Sequence, residues 1–595
     1  MRCIRSRSAF SKKLTLAGIG FLALLGGSMA CSSGSAIANR LEERLKDLAD
    51  LGRPSATPDE IDGALTHQLR VAPVPAKGKN RPSSPAFPTR QTLREFYAKR
   101  GQRLAWCDNS GAVLASAGTL LEALRRAGDH GLDPEDYAVS RLERMREEMR
   151  KTRQSKEAVA RWADFDLLMT TAFFRYASDL STGRVHPDEI RSEWHTNPPE
   201  LDLSGALRKA LHQRDLEQLL QRLPPPHPGY SRLQQGLKEL RSIEDSGGWP
   251  TIPGGPKLQK GSRGTRVALL SQRLSGRAVG KSPTTGGPAA ADAVFDGALA
   301  EEVRRFQSLH GIEPDGIVSE STLAELNVPV GRRIRQVELN LERWRWISRR
   351  LGEPHVEVNI PGFDLQLVRD GRAELRSRIV VGKAFTPTPV FSDRIVAVVA
   401  NPPWNVPDEL AVREYLPELR ENLQSFLKHG IRIYENSGED AREVDPAKVH
   451  WSFVDDDEFR YHLRQDPGPD NALGQMKFQL TNDFQIYLHD TPARTLFAQT
   501  DRDMSHGCIR VEKARELADR VLGDSSQKLE KALESDKEQS ISVRPPVPIQ
   551  ILYLTAWVDM DGLLRFAQDI YEFDAPQQAA LERVSRAANT PRTGN

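Results

Sequence analysis

His489, then fifteen residues, then Ser505-His506-Gly507-Cys508-Ile509-Arg510 is the stretch of this chain best equipped for chemistry. A thiol attacks a carbonyl only as the thiolate, and at a pKa of about 8.5 only a few per cent is ionised near neutrality. Two histidines and an arginine near one thiol are surroundings that lower that pKa and carry its proton. Acyl transfer uses every member. Cys508 attacks a carbonyl, and His489 takes the thiol proton and later returns one to the leaving amine. Backbone N–H groups around Gly507 and Cys508 supply an oxyanion hole, and the missing side chain at Gly507 admits substrate. Arg510, two residues on and so on the same strand face, holds a carboxylate or shapes the pocket. His506 competes as the base, but its place two residues from the nucleophile disfavours direct contact, so it ranks second, as part of the pocket. Zinc on His489, His506 and Cys508 lacks a fourth Cys or His and any Cys-x-x-Cys spacing. No metal or cofactor is expected.

The elements that must position these groups change period along the chain. From about 354 apolar residues alternate: His355 to Ile360, Leu365 to Val368 and Ile379 to Val381 read as strands, with Arg369-Asp370-Gly371-Arg372 as a hairpin turn. Ile395–Ala400, Lys477–Thr481, Ile486–His489, Ile549–Ala556 and Leu564–Ile570 continue the β pattern. A polar stretch interrupts them over 408–475. Tyr415, Leu416, Phe426, Tyr434, Trp451 and Phe453 give it enough apolar material to fold, so a capping lid is expected. Residues 91–250 are helical in period, with Leu120, Leu121, Leu124 and Ala127 on one face and Asp133-Pro134 opening a turn. Within 257–330, Val267, Leu270, Val303-x-x-Phe306-Gln307, Gly311-Ile312, Asp315-Gly316 and Thr322-Leu323 resemble the three-helix peptidoglycan-binding module of cell-wall enzymes. The expected fold is multidomain α+β: a helical scaffold, this module, and a mainly-β catalytic domain over 340–575. Residues 31–90 read as a flexible tether and 576–595 as a polar tail.

Lys+Arg 83 against Asp+Glu 81 leaves a formal charge of +2, which gives no reason to expect a nucleic-acid partner. Arg2, Arg5, Arg7, Lys12 and Lys13 precede the apolar run Leu14–Leu25 and the small residues up to Ala30, the layout of a secretory signal over 1–30. Cys31-Ser32-Ser33 also resembles a lipoprotein acylation site, so membrane anchoring through Cys31 is an expectation, although Ser28 stands where leucine is usual. Cys107 reads as a small core residue rather than a disulfide partner of Cys508.

The His489 to Arg510 pattern resembles the signature of YkuD-type L,D-transpeptidases. Val381-Gly382-Lys383, Thr386-Pro387-Thr388-Pro389 and Asn401-Pro402-Pro403-Trp404-Asn405-Val406-Pro407 resemble that family's substrate-side segments. With its scaffold, binding module and long insertion the chain is similar to the large YcbB-like branch of Gram-negative bacteria. The resemblance implies a periplasmic enzyme acting on peptidoglycan stems. Cys508 is then the nucleophile, His489 the base and a backbone carbonyl beside His489 the third partner. The product is a 3→3 cross-link with release of terminal D-alanine. It further implies a pocket of Ser505, His506, Arg510, Tyr487, Trp404, Asn405 and Asp490, the last standing where many members carry glycine. L,D-carboxypeptidase action, another wall cysteine peptidase and a non-catalytic wall-binding scaffold stay open as alternatives.

Overall fold

The computed structural model describes residues 56–71, 89–151, 156–196, 201–275, 292–436, 441–535 and 537–589. The expected signal, Cys31 and the glycine-rich stretch 276–291 lie outside them. Among the described residues no helix is long and apolar enough to cross a membrane.

The helical region is built on the long helix Lys156–Thr182. Its core gathers Leu93, Phe96, Trp106, Leu120, Leu124, Phe165 and Phe173, and Cys107 lies within it as a free, buried thiol. Buried Asp166 ties the neighbouring loop down by accepting from the N–H groups of Ala105 (2.9 Å) and Trp106 (2.7 Å). Part of the expected tether is instead a helix, Pro58–Val71, whose Ile61, Leu65 and Leu69 are buried in the same core. Its start is a capping box: Thr57 Oγ1 accepts from Glu60 N–H (3.3 Å) and Thr57 N–H donates to Glu60 (2.8 Å).

The module residues form the helices Thr265–Leu274, Gly297–Leu309 and Glu320–Leu326 around Val267, Leu270, Phe295, Val303, Phe306 and Val318. It rests on the catalytic domain, where the His310 ring stacks on Phe306 (3.8 Å) and faces Phe566 (5.3 Å). Thr500 Oγ1 adds a hydrogen bond to Glu313 (2.9 Å).

The strands, in chain order, are β1 (Trp194–His195), β2 (His355–Asn359), β3 (Asp364–Arg369), β4 (Arg372–Gly382), β5 (Val390–Ala400), β6 (Trp404–Asn405), β7 (Ile431–Glu435), β8 (Arg442–Val444), β9 (Tyr461–Gln465), β10 (Met476–Gln479), β11 (Leu488–His489), β12 (Asp503–Ser505), β13 (Ile509–Val511), β14 (Gln539–Leu552), β15 (Ala556–Val558) and β16 (Leu564–Phe566). The main sheet runs β1-β5-β10-β11-β13-β4-β3-β2-β14, with β12 beside β4, and closes on itself because β14 also pairs with β5. Its core includes the helix Ala514–Leu522 through Leu517, Ala518 and Val521. The Asp370-Gly371 turn has both residues at positive φ (52° and 69°), as a two-residue hairpin requires.

One helix, Val330–Arg345, joins the parts. Its apolar face packs on the helix Pro228–Asp245 and on β15–β16, so that helix belongs as much to the catalytic domain as to the scaffold. Its buried polar face does the rest. Glu342 pairs with Arg345 (2.5 Å) and accepts from the backbone N–H groups of Arg184 and Val185 on the scaffold side. Arg343 pairs with Asp574 (2.6 Å) and donates to Gln577 (2.8 Å). Those partners lie in the helix Asp574–Asn589, which replaces the expected polar tail because Ala580 and Val584 are buried in the main core.

Candidate active site

Cys508 ends a tight turn between β12 and β13. The buried Ser505 hydroxyl closes that turn, donating to Cys508 O (2.6 Å) and accepting Gly507 N–H (3.2 Å). Ser505 therefore shapes the loop and does not face a substrate, a correction to its expected role. Gly507 has φ of +107°, a region that side chains avoid. Behind it, a Cβ on Gly382 would lie 2.2 Å from Thr386 O and 3.0 Å from Gly507 Cα, so two glycines let the strands meet. Thr388, fully buried, accepts Gly382 N–H (2.9 Å) and donates to Gly507 O (2.8 Å). Tyr571 Oη donates to Gly382 O (2.5 Å). These contacts hold the Cys508 turn from below.

Strand register supplies the partners. Phe478, Leu488 and Ile509, paired across β10, β11 and β13, all point into the core. With a side-chain period of two, their neighbours Lys477, His489 and Arg510 lie side by side on the opposite face. Buried His489 donates from Nδ1 to Asp490 O (2.5 Å), because a carbonyl can only accept; the Nε2 lone pair is left free. The expected backbone-carbonyl partner is thus Asp490's own. Its carboxylate turns away, to Gln475 N–H (3.0 Å) and Arg494 (2.5 Å), and buttresses the strand end rather than binding substrate. The Tyr487 ring lies 5.8 Å from that of His489, with Lys477 Nζ 4.1 Å over it.

Burial, then the positive charges of Arg510 and Lys477, lowers the His489 pKa to about 3, so the imidazole is neutral at rest. Burial also pushes the Cys508 thiol up, against the opposing pull of Tyr487, Lys477 and Arg510. Its Sγ lies 3.8 Å from Gln485 O. The resting pair is therefore thiol and imidazole, not thiolate and imidazolium. Iodoacetamide alkylation of Cys508 should keep rising with pH through 7 and 8, since each step upward ionises more thiol; a plateau below pH 7 would contradict this. No inflection from His489 is expected near pH 6.5.

The insertion reaches the site. β6, β9, β7 and β8 form a separate sheet over a core of Leu410, Leu416, Phe426, Ile433, Trp451 and Leu463. Its π-helical segment Ala411–Tyr415 places Glu414 Oε1 2.6 Å from His506 Nε2 and brings Tyr415 into the field of Arg510. His506 thus bonds the insertion, not the thiol, and stands apart from a His489–Cys508 ligand set. Among the described residues no three His, Cys, Asp or Glu are grouped as metal ligands. Trp404 packs edge-on to Tyr415 (6.3 Å) in the insertion's own core, and Asn405 is exposed on β6. Lys477, Glu414 and Tyr415 carry no motif of their own; only the register and the folded insertion bring them in.

Residues 91–237 match a family described as a scaffold domain, 263–326 a "Putative peptidoglycan binding domain", and 353–549 the YkuD family, an L,D-transpeptidase catalytic domain. A Haemophilus influenzae protein named "Putative L,D-transpeptidase" is 39% identical over 220 residues, 36% of this chain and 44% of that protein. The match thus spans less than half of that relative. Crystal structures of L,D-transpeptidases from Xylanimonas cellulosilytica and Stackebrandtia nassauensis align at 15% and 14% identity. They cover 50% and 51% of this chain and 98% and 96% of theirs, with TM-scores of 0.17 and 0.18. Scores this low establish no shared fold.

Proposed function

We propose that this chain, which carries a YkuD-type L,D-transpeptidase catalytic domain together with a scaffold and a peptidoglycan-binding domain, forms 3→3 cross-links through a thioester on Cys508. The observation that carries this reading is the His489 imidazole, neutral and locked in one tautomer, on the strand beside the Cys508 turn. In the first step the Cys508 sulfur bonds to the carbonyl at the L-centre of a donor's diamino acid. The thiol proton passes to His489 Nε2, the bond to D-alanine breaks, and its nitrogen takes that proton. Gly507 N–H is engaged by Ser505, so Cys508 N–H is the donor this turn offers the developing oxyanion. In the second step an acceptor amine attacks the thioester, gives a proton to His489 and displaces the thiolate, which recovers the proton. Water in place of the amine gives carboxypeptidase action.

The insertion, bonded to the motif through Glu414, limits the access of water to the thioester. Deleting residues 412–470 should raise hydrolysis relative to cross-linking, or abolish both, in muropeptide analysis; an unchanged product ratio would refute the lid. The signal-like start and the peptidoglycan-binding domain support a periplasmic enzyme of a Gram-negative cell acting on stem peptides and glycan. Anchoring by lipid on Cys31 is read from the mass of the mature N-terminus, where an unmodified residue would refute it. Carbapenems should acylate Cys508, and a covalent adduct that persists in Cys508→Ala would overturn the assignment of the nucleophile.

A further inference from the structure

Two cations flank the catalytic imidazole, and among the described residues no carboxylate pairs with either. Lys477 on β10 and Arg510 on β13 stand directly across from His489, one strand away on either side. Neighbouring strands are about 4.8 Å apart, and residues in register share a face, so both charges border the space above His489 and Cys508. The carboxylates nearby are committed elsewhere. Asp490 is held by Arg494 and Gln475, and Glu414 by His506. The Cys508 sulfur is the group whose charge would act most on both, and it rests as the neutral thiol. Glu538 acts on Lys477 only from beyond ion-pair distance, and Tyr415 faces Arg510 as a neutral phenol. Arg510 Nε is buried without a hydrogen-bond partner among the described residues. Lys477 has the Tyr487 ring beneath its ammonium, 4.1 Å away, and no carboxylate in contact among the described residues. Burial disfavours both cations, so an arrangement with no counter-ion is one that a ligand anion completes.

We propose that Lys477 and Arg510 together bind the free α-carboxylate of the departing D-alanine. This rests on the transpeptidase reading above and assigns its donor subsite. In a peptide the carboxyl carbon one residue beyond the attacked carbonyl lies roughly 3–4 Å from it. That carboxylate must therefore sit close to the Cys508 sulfur when attack begins, where these two charges converge. The same clamp holds the leaving nitrogen near His489 Nε2, which must deliver its proton there. It also sets specificity. A stem extended by one more residue presents a neutral amide at this point and leaves two desolvated cations unpaired, so four-residue stems are preferred as donors.

The test is single-turnover acylation of Cys508, followed by intact-protein mass spectrometry. The donors are stem tetrapeptides ending in D-alanine as the carboxylate, the same peptides ending in the carboxamide, and peptides amidated only on the side-chain carboxyl of the diamino acid. For the natural chain, terminal amidation should raise the half-saturating concentration about tenfold to a hundredfold, the scale of one or two charge-assisted hydrogen bonds. Lys477→Met should show a loss of that size on the carboxylate donor and little further loss on the carboxamide, with Lys477→Arg recovering most of it. Equal losses on both donors would overturn the clamp, because Lys477 would then act on the fold or on the thiol. Sensitivity only to side-chain amidation would overturn the leaving-group assignment. If the natural chain forms no acyl-enzyme with any donor while Cys508 still alkylates, the transpeptidase reading itself fails and takes the clamp with it.

Discussion

Exchange of His489 for asparagine should slow acylation of Cys508 by about 10²- to 10⁴-fold, the usual contribution of a positioned general base. Asparagine is close to the imidazole in its near half, so its amide retains a donor toward Asp490 O while the Nε2 acceptor disappears. The measurement is the rate of thioester formation on a stem tetrapeptide, read by intact mass under single turnover. The effect should be large because the thiol does not ionise by itself at neutral pH: burial raises its pKa, and His489 is uncharged at rest. Proton removal and carbon–sulfur bond formation must then occur together, and the base cannot be omitted. Raising the pH to 9 should recover part of the lost rate in the asparagine variant, since hydroxide then supplies the thiolate. A loss under fivefold would mean that another group serves as base. His506 is poorly placed for that role, with its Nε2 bound to Glu414.

Exchange of Glu342 for alanine should destabilise the chain by about 3–5 kcal/mol, the cost of leaving a buried charge unpaired. Glu342 and Arg345 are both buried to about 1% side-chain exposure. The same carboxylate accepts the backbone N–H groups of Arg184 and Val185, which join the scaffold to the catalytic domain. Removal strands three donors at once. Thermal unfolding followed by circular dichroism should show the loss, and the double variant Glu342→Ala with Arg345→Met should be more stable than Glu342→Ala alone because it removes the stranded charge. A single variant within 1 kcal/mol of the natural chain would show that the junction does not depend on this pair.

Much of the site was legible because its chemistry is local in sequence. Cys508, Gly507 and His489 are identified by type and spacing, and the structure places His489 on the strand beside the motif turn. What failed was the assumption that residues close to the motif face the substrate. Ser505 and Asp490 are consumed in holding the turn and the strand end, since a tight loop with buried N–H and C=O groups must satisfy them from within. Lys477 carries no local mark, because only pairing between β10 and β11 puts it opposite His489. Glu414 and Tyr415 depend on how an insertion folds back, which spacing does not encode.

The fold shows the same division. The alternating strands and the Asp370-Gly371 hairpin follow from local pattern. The first part of β14 did not, because Pro545, Pro546 and Pro548 interrupt its alternation; the ladder skips between Ser542 and Val547, so Pro545 and Pro546 owe it no donors. The helix Pro58–Val71 begins at a capping box of Thr57 and Glu60, and burial of Ile61, Leu65 and Leu69 in the helical core gives it a tertiary reason to form within the segment expected as a tether. The final helix is polar on its outer face, and burial of Gln577, Ala580 and Val584 gives it a tertiary reason to form.

The central claim, that Cys508 carries the donor stem as a thioester and passes it to an amine, is tested most directly on the purified chain. It is incubated with disaccharide tetrapeptides and analysed twice, as intact protein and as released muropeptides. The account predicts an adduct of the donor mass less D-alanine on the peptide containing Cys508, together with dimers joined 3→3 between diamino acid residues. Shortened monomers without dimers, or cross-links that form undiminished in Cys508→Ala, would contradict it.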